Sequence, residues 1–94
     1  MGLHIRSKQM KEITYVLRAP MGLHGRPAGL LAGAASKYKC AIEVGSNTKM
    51  VNAKRVIGVM ALTLKQGNEV TMRFDGEDEE AAAAFFVDFL EKNV

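Results

Sequence analysis

Glu12-Ile13-Thr14-Tyr15-Val16-Leu17-Arg18, then Ala19-Pro20-Met21-Gly22, then Leu23-His24-Gly25-Arg26-Pro27-Ala28 and an Ala/Leu-rich run to Tyr38: within residues 12–38 the sequence changes its period. Ile13, Tyr15 and Leu17 alternate with Glu12, Thr14 and Arg18, Val16 being the exception, and period two predicts a strand with one buried face. Proline and glycine in residues 19–22 break the alternation into a loop. From residue 25 to 38 the apolar positions Ala28, Leu31, Ala35 and Tyr38 fall at helical spacing. Pro27 suits the first turn of that helix, where amides have no intrahelical acceptor, and Lys37 and Lys39 are expected to complement its negative pole.

Downstream, residues 40–44 and 48–52 read as strands joined by a turn at Gly45-Ser46-Asn47. Residues 53–64 carry Val56, Ile57, Met60 and Leu64 at helical spacing, and Gln66-Gly67-Asn68 is expected to end that helix. Val70, Met72 and Phe74 alternate with Glu69, Thr71 and Arg73 in a fourth strand. After Asp75-Gly76, residues 79–93 form the clearest helix, with Asp78 as N-cap and Glu79 and Glu80 at the positive pole. Its face of Ala82, Phe85, Phe86, Phe89 and Leu90 reads as core, as does Cys40. The order β-α-β-β-α-β-α in 94 residues implies an α+β open-faced β-sandwich, a four-stranded antiparallel sheet with three helices on one face. Residues 1–10, including His4, are polar and aperiodic and read as a flexible N-terminal extension before a domain over 11–94.

One cysteine precludes an intrachain disulfide, and with only two histidines neither a metal nor a cofactor is expected. No apolar run reaches the roughly 18 residues of a membrane span, residues 1–10 hold no signal-like apolar region, and the free thiol suits a reducing compartment, so a cytoplasmic location is expected. Charge is divided: residues 1–74 hold twelve Lys/Arg and three Asp/Glu, a balance of +9, whereas residues 75–94 carry −6. A basic region steers acidic partners. Nucleic acid is not expected, because no aromatics interleave with the cations.

His24 precedes a helix start, or caps it. Helix N-termini present free amides and a positive pole that favour anions and disfavour imidazolium, so the ring is expected to be neutral and nucleophilic. A phosphoryl group taken by that ring would lie at the helix N-terminus formed by Gly25, Arg26 and Pro27, where the Arg26 guanidinium can bind its oxygens and Pro27, itself without an N–H, fixes the helix start. Lacking a second acid/base partner, the site suits a relay better than a hydrolase.

Gly22-Leu23-His24-Gly25-Arg26-Pro27-Ala28 closely resembles the active-site motif of the HPr family, the histidine-containing phosphocarriers of the bacterial phosphoenolpyruvate-dependent phosphotransferase system. Ala35-Ser36-Lys37-Tyr38, Val51-Asn52-Ala53-Lys54, Gly58-Val59-Met60, Lys65-Gln66-Gly67 and Gly76-Glu77-Asp78 also look like family segments, over about residues 11–94. The resemblance implies that His24 accepts a phosphoryl group on Nδ1 from phosphorylated enzyme I and passes it to enzyme II A domains for sugar uptake. The chain would then be a carrier, not an enzyme with its own turnover, and by default for its size a monomer. The alternative within the family is a regulatory paralogue, of a nitrogen-type or carbon-control branch, acting mainly by docking. The resemblance further implies that Arg26 stabilises the phosphate and that Val56, Ile57, Met60 and Leu64 form the docking patch, with Ile57 and Met60 the expected exposed pair. Two positions depart from the family pattern. Arg55 stands where a regulatory serine is usual, and its cation is disfavoured at a helix start unless it serves acidic partners or the phosphoryl group. Gly25 replaces the usual Ala or Thr and is expected to loosen the helix start modestly.

Overall fold

Val70, Met72 and Phe74 recur every second residue along the strand at the middle of the sheet, and all three are fully buried. The structure, a computed structural model, describes residues 11–46 and 48–94. The expected extension 1–10, with His4, and Asn47 of the expected turn lie outside the described residues. The elements are β1 (Lys11–Val16), α1 (Arg26–Ala35), β2 (Ala41–Ser46), β3 (Lys49–Asn52), α2 (Val56–Ala61), β4 (Glu69–Asp75) and α3 (Glu79–Asn93). The sheet runs β1-β4-β2-β3 with every neighbour antiparallel, so the expected class and element order hold.

Register explains the two faces. Ile13 lies opposite Met72, which lies opposite Val44, which lies opposite Val51. That row faces the helices and meets Leu31, Val59, Phe86 and Leu90 in one core. The next row is Glu12, Arg73, Glu43 and Asn52. It faces away from the helices, and there Arg73 Nε donates to Glu12 Oε2 at 2.8 Å. Val16, the exception to the alternation, is exposed on this side.

Several expected boundaries move. Helix α1 stops at Ala35, not at residue 38: the Ser36 hydroxyl donates back to the Ala32 carbonyl at 2.9 Å, and the Lys37 and Tyr38 amides make tight turns onto Ala34 and Ala35. Lys37 and Lys39 therefore lie past its last turn, and it is Lys54 whose Nζ reaches the Tyr38 carbonyl, at 2.8 Å. Tyr38 keeps helical spacing because its ring packs 6.0 Å from Phe85 and 6.4 Å from Phe86, a core contact made without a helix. Strand β2 takes in Gly45 and Ser46, which were expected in the turn. Helix α2 covers only six residues, ending at Ala61 well before Gln66. Thr71, expected on the solvent side of β4, is buried. Phe85, expected in the core, is 42% exposed although its ring joins the aromatic cluster.

Asp78 occupies the N-cap position of α3 but makes no side-chain capping bond. Its Oδ2 accepts the Lys39 N–H and its Oδ1 the Cys40 N–H, each at 2.8 Å, which ties the start of α3 to the start of β2. Glu79, the first helical residue, ties the helix start back to the preceding turn, its Oε1 accepting the Gly76 N–H at 2.9 Å. The Lys39 amide, then the Cys40 thiol and amide, hold the Asp78 carboxyl below its usual range. Burial first, and Asp78 second, push the Cys40 thiol up to about 11, so it stays protonated and inert near neutral pH.

A carboxyl whose folded value is depressed adds stability above its unfolded value, near 3.9, and that stability is lost as pH falls through the folded value. Asp78→Asn keeps one acceptor oxygen and no charge. We expect it to melt below wild type at neutral pH, and the two melting curves to converge as the pH falls below the usual carboxylate range and through the depressed folded-state value. Parallel curves across that range would show that the carboxylate is not the clamp.

Candidate functional site

Leu23 is fully buried and His24, the next residue, is exposed, so the loop from β1 to α1 is anchored by one side chain and offers the other to solvent. The anchor is reinforced by backbone. The Leu23 N–H donates to the Leu64 carbonyl at 3.1 Å and the Gly22 N–H to the Ala19 carbonyl at 2.9 Å. Lower in the loop, Leu17 exchanges hydrogen bonds with Asn68 and Gly67, and Gln66 Nε2 donates to the Arg18 carbonyl at 3.0 Å. The Arg18 and Ala19 amides both donate to the Val94 carbonyl oxygen. The segment joining α2 to β4 thus grips the loop that presents His24.

Two glycines permit this path. Gly22 has φ +63°, and a Cβ there would lie 2.3 Å from the Leu64 oxygen and 2.7 Å from the Lys65 Cα. Gly25 caps α1 with φ 63° and ψ −126°, a conformation open to glycine at little cost, with free space where a Cβ would stand. The expectation that Gly25 merely loosens the helix start is therefore incomplete, since this torsion calls for a glycine. His24 is beside the cap, not in it. Arg26 and Pro27 fill the first two helical positions; proline there removes one donor, and among the described residues the Arg26 and Ala28 amides donate to no backbone carbonyl. The Gly29 amide is the first to be satisfied within the turn, by the Gly25 carbonyl at 3.1 Å. His24, Gly25 and Arg26 are all exposed, so an imidazole, the unbonded Arg26 amide and a guanidinium lie along one stretch of surface at the positive pole of a ten-residue helix, while Ala28 is buried behind them.

Helix α2 packs beside α1. Its expected docking residues divide: Ile57 is 81% and Val56 38% exposed, Met60 is half-buried, and Leu64 is 7% exposed in the core. Leu64 also lies beyond the end of α2, where its side chain joins the core and its carbonyl accepts the Leu23 N–H. Met60 is less exposed than the expected pairing with Ile57 required, and Val56 takes its place. Sequence reading missed Met21, two residues before Leu23 and 70% exposed; a large apolar residue in a Pro/Gly loop was the available signal. The segments 17–39 and 53–68 that build this corner hold seven Lys/Arg and no Asp or Glu. None of the seven forms an ion pair among the described residues.

Residues 11–92 match the family model described as the PTS HPr component phosphorylation site. The chain belongs to the HPr family. A phosphocarrier protein HPr from Lysinibacillus sphaericus is 42% identical over 73 residues, covering 78% of this chain and 83% of the relative. The crystal structure of an HPr from Thermoanaerobacter tengcongensis superposes with a TM-score of 0.83 at 42% identity, covering 88% of this chain and 93% of that one. An HPr dimer from the same organism gives 0.69 at 43% identity, covering 87% and 94%. The chain is thus an HPr phosphocarrier of the phosphotransferase system, with the open-faced fold of that family. Among the described residues no helix is long and apolar enough to cross a membrane.

The two glycines differ in what a methyl group would meet. Gly25→Ala is expected to cost about 1–3 kcal/mol in urea unfolding, from torsion alone. Gly22→Ala adds a collision with backbone to the torsional cost and is expected to cost clearly more. Equal losses would show that the Leu64–Lys65 contact is not tight.

Proposed function

We propose that His24 is the phosphoryl acceptor, receiving the group from phosphorylated enzyme I and delivering it to enzyme II A domains in cytoplasmic sugar uptake. The observation that carries this is the exposed imidazole placed immediately before the free amides at the positive pole of α1, with Arg26 in the first helical position. A ring nitrogen lone pair forms the new N–P bond while the donor's bond to phosphorus breaks, its electron pair staying with the donor. The phosphoryl oxygens then lie against the Arg26 amide and guanidinium at the positive pole of α1, which bind a dianion without covalent chemistry. Transfer onward reverses the same steps. In this reading the protein works as a monomer that exposes Met21, Val56, Ile57 and part of Met60 to one partner at a time, with domain 11–94 as the working unit.

Incubation with phosphoenolpyruvate and enzyme I is expected to label the wild type with an acid-labile, base-stable phosphate, and His24→Ala is expected to take no label. An unlabelled wild type, or a labelled His24→Ala, sinks the assignment. Arg26→Gln is expected to slow transfer roughly 10–100-fold, the worth of a charge-assisted hydrogen bond.

The docking residues separate by a second measurement. Ile57→Ala is expected to leave stability within about 0.5 kcal/mol and to weaken enzyme I binding roughly 5–30-fold. Leu64→Ala is expected to cost about 2–5 kcal/mol of stability. Unchanged enzyme I affinity in Ile57→Ala would remove α2 from the docking surface.

A further inference from the structure

Arg55 is the N-cap residue of α2, with extended torsions and no side-chain capping bond. That position favours Ser, Thr, Asp or Asn, and a cation there opposes the positive pole of the helix. A helix of six residues has little intrinsic stability to spare. The Arg55 side chain is exposed and, among the described residues, makes no ion pair and no hydrogen bond. Nothing described within the chain compensates for its charge. It borders a shallow groove with Val51, Val56, Ile57 and Gly58, so the guanidinium stands at the rim of the exposed apolar surface.

We infer that Arg55 selects the partner: its charge draws a carboxylate-rich protein surface onto the apolar projection made by Ile57 and Val56. The inference rests on the phosphocarrier reading and names the chemistry of the surface that docks. A small free anion would gain nothing from the neighbouring apolar side chains, whereas a protein face with acidic groups around an apolar hollow matches both. The seven unpaired cations of segments 17–39 and 53–68, with no acid among them, give such a face nothing to repel it. An exposed cation at an interface rim acts on encounter rate and salt response more than on final affinity.

The test is the second-order rate of phosphoryl transfer from phosphorylated enzyme I, measured at about 0.01 M and about 1 M salt, where the Debye length falls from about 30 Å to about 3 Å. At low salt Arg55→Gln is expected to be about three- to tenfold slower than wild type, and at high salt equal to it. Arg55→Lys is expected to keep most of the low-salt rate. Lys92→Gln, which removes a cation already paired with Asp88 on α3, is expected to behave as wild type. Arg55→Ser, which supplies a capping hydroxyl, is expected to raise Tm by about 2–6 °C. Equal rates for Arg55→Gln and wild type at low salt, or a deficit that persists at high salt, overturn the role of Arg55 and leave the phosphocarrier reading standing. An unchanged Tm in Arg55→Ser removes the premise that the arginine is disfavoured where it stands. A wild type that takes no label overturns the phosphocarrier reading and this inference with it.

Discussion

The backbone of Gly22 lies so close to the Leu64 carbonyl and the Lys65 Cα that no side chain fits between them. The rest of the corner follows from that approach. With Gly22 in place, the Leu23 amide reaches the Leu64 carbonyl and its side chain enters the core. The chain must then leave the interior at His24 and start α1 at once, through the glycine-favouring torsion of Gly25. One backbone contact between segments forty residues apart thus sets where the imidazole stands relative to the helix pole. A histidine on a mobile loop would sample many positions; this one has a buried neighbour before it and a proline-containing helix start after it, which limits the orientational cost of reaction.

Electrostatics follow the same division as the fold. Helices α1 and α2 and their loops carry cations without acids, while acids gather around α3 at the other end of the chain. The ion pairs of the described residues, Lys11 with Glu80, Arg73 with Glu12 and Lys92 with Asp88, all lie outside the cationic corner. Charge that could have been neutralised within the chain is left open at the site. The open face of the sheet does the opposite, pairing Arg73 with Glu12 beside Glu43, which leaves little field for a charged partner.

Strands were legible because alternation has few competing causes: Val70, Met72 and Phe74 can be buried together only on one face of a sheet. Helix ends were not, because apolar spacing continues wherever residues meet the core. Tyr38 and Leu64 both fit a helical period, yet one packs from a turn and the other from a loop. Asp78 shows the same limit for polar groups. Its position and type suit a cap, but two amides nearly forty residues away in sequence compete for its oxygens and win. In the candidate site, the placement of His24, Arg26 and Pro27 at the start of α1 was legible, because it depends on local order in the chain. The site was not legible at Leu64 and Met21, whose roles depend on a backbone approach and on an exposure that no local pattern encodes.

A phosphoryl relay has to release what it accepts, and the exposure of this corner bears on that. In the proposed relay, an exposed amide and one solvated guanidinium at Arg26 would hold a dianion with modest strength, because water competes for both. A deeper cradle would bind the phosphorylated state tightly and raise the barrier to handing it on. The described chain around His24 orients the group but does not exclude water from it. On the proposed reading, enclosure comes from the partner that docks at Ile57 and Val56, so the low-dielectric surroundings that favour transfer would exist only while donor or acceptor is bound. Between partners the group would then be left in water on a surface whose segments 17–39 and 53–68 hold no carboxylate to act as base in its hydrolysis, as a carrier requires.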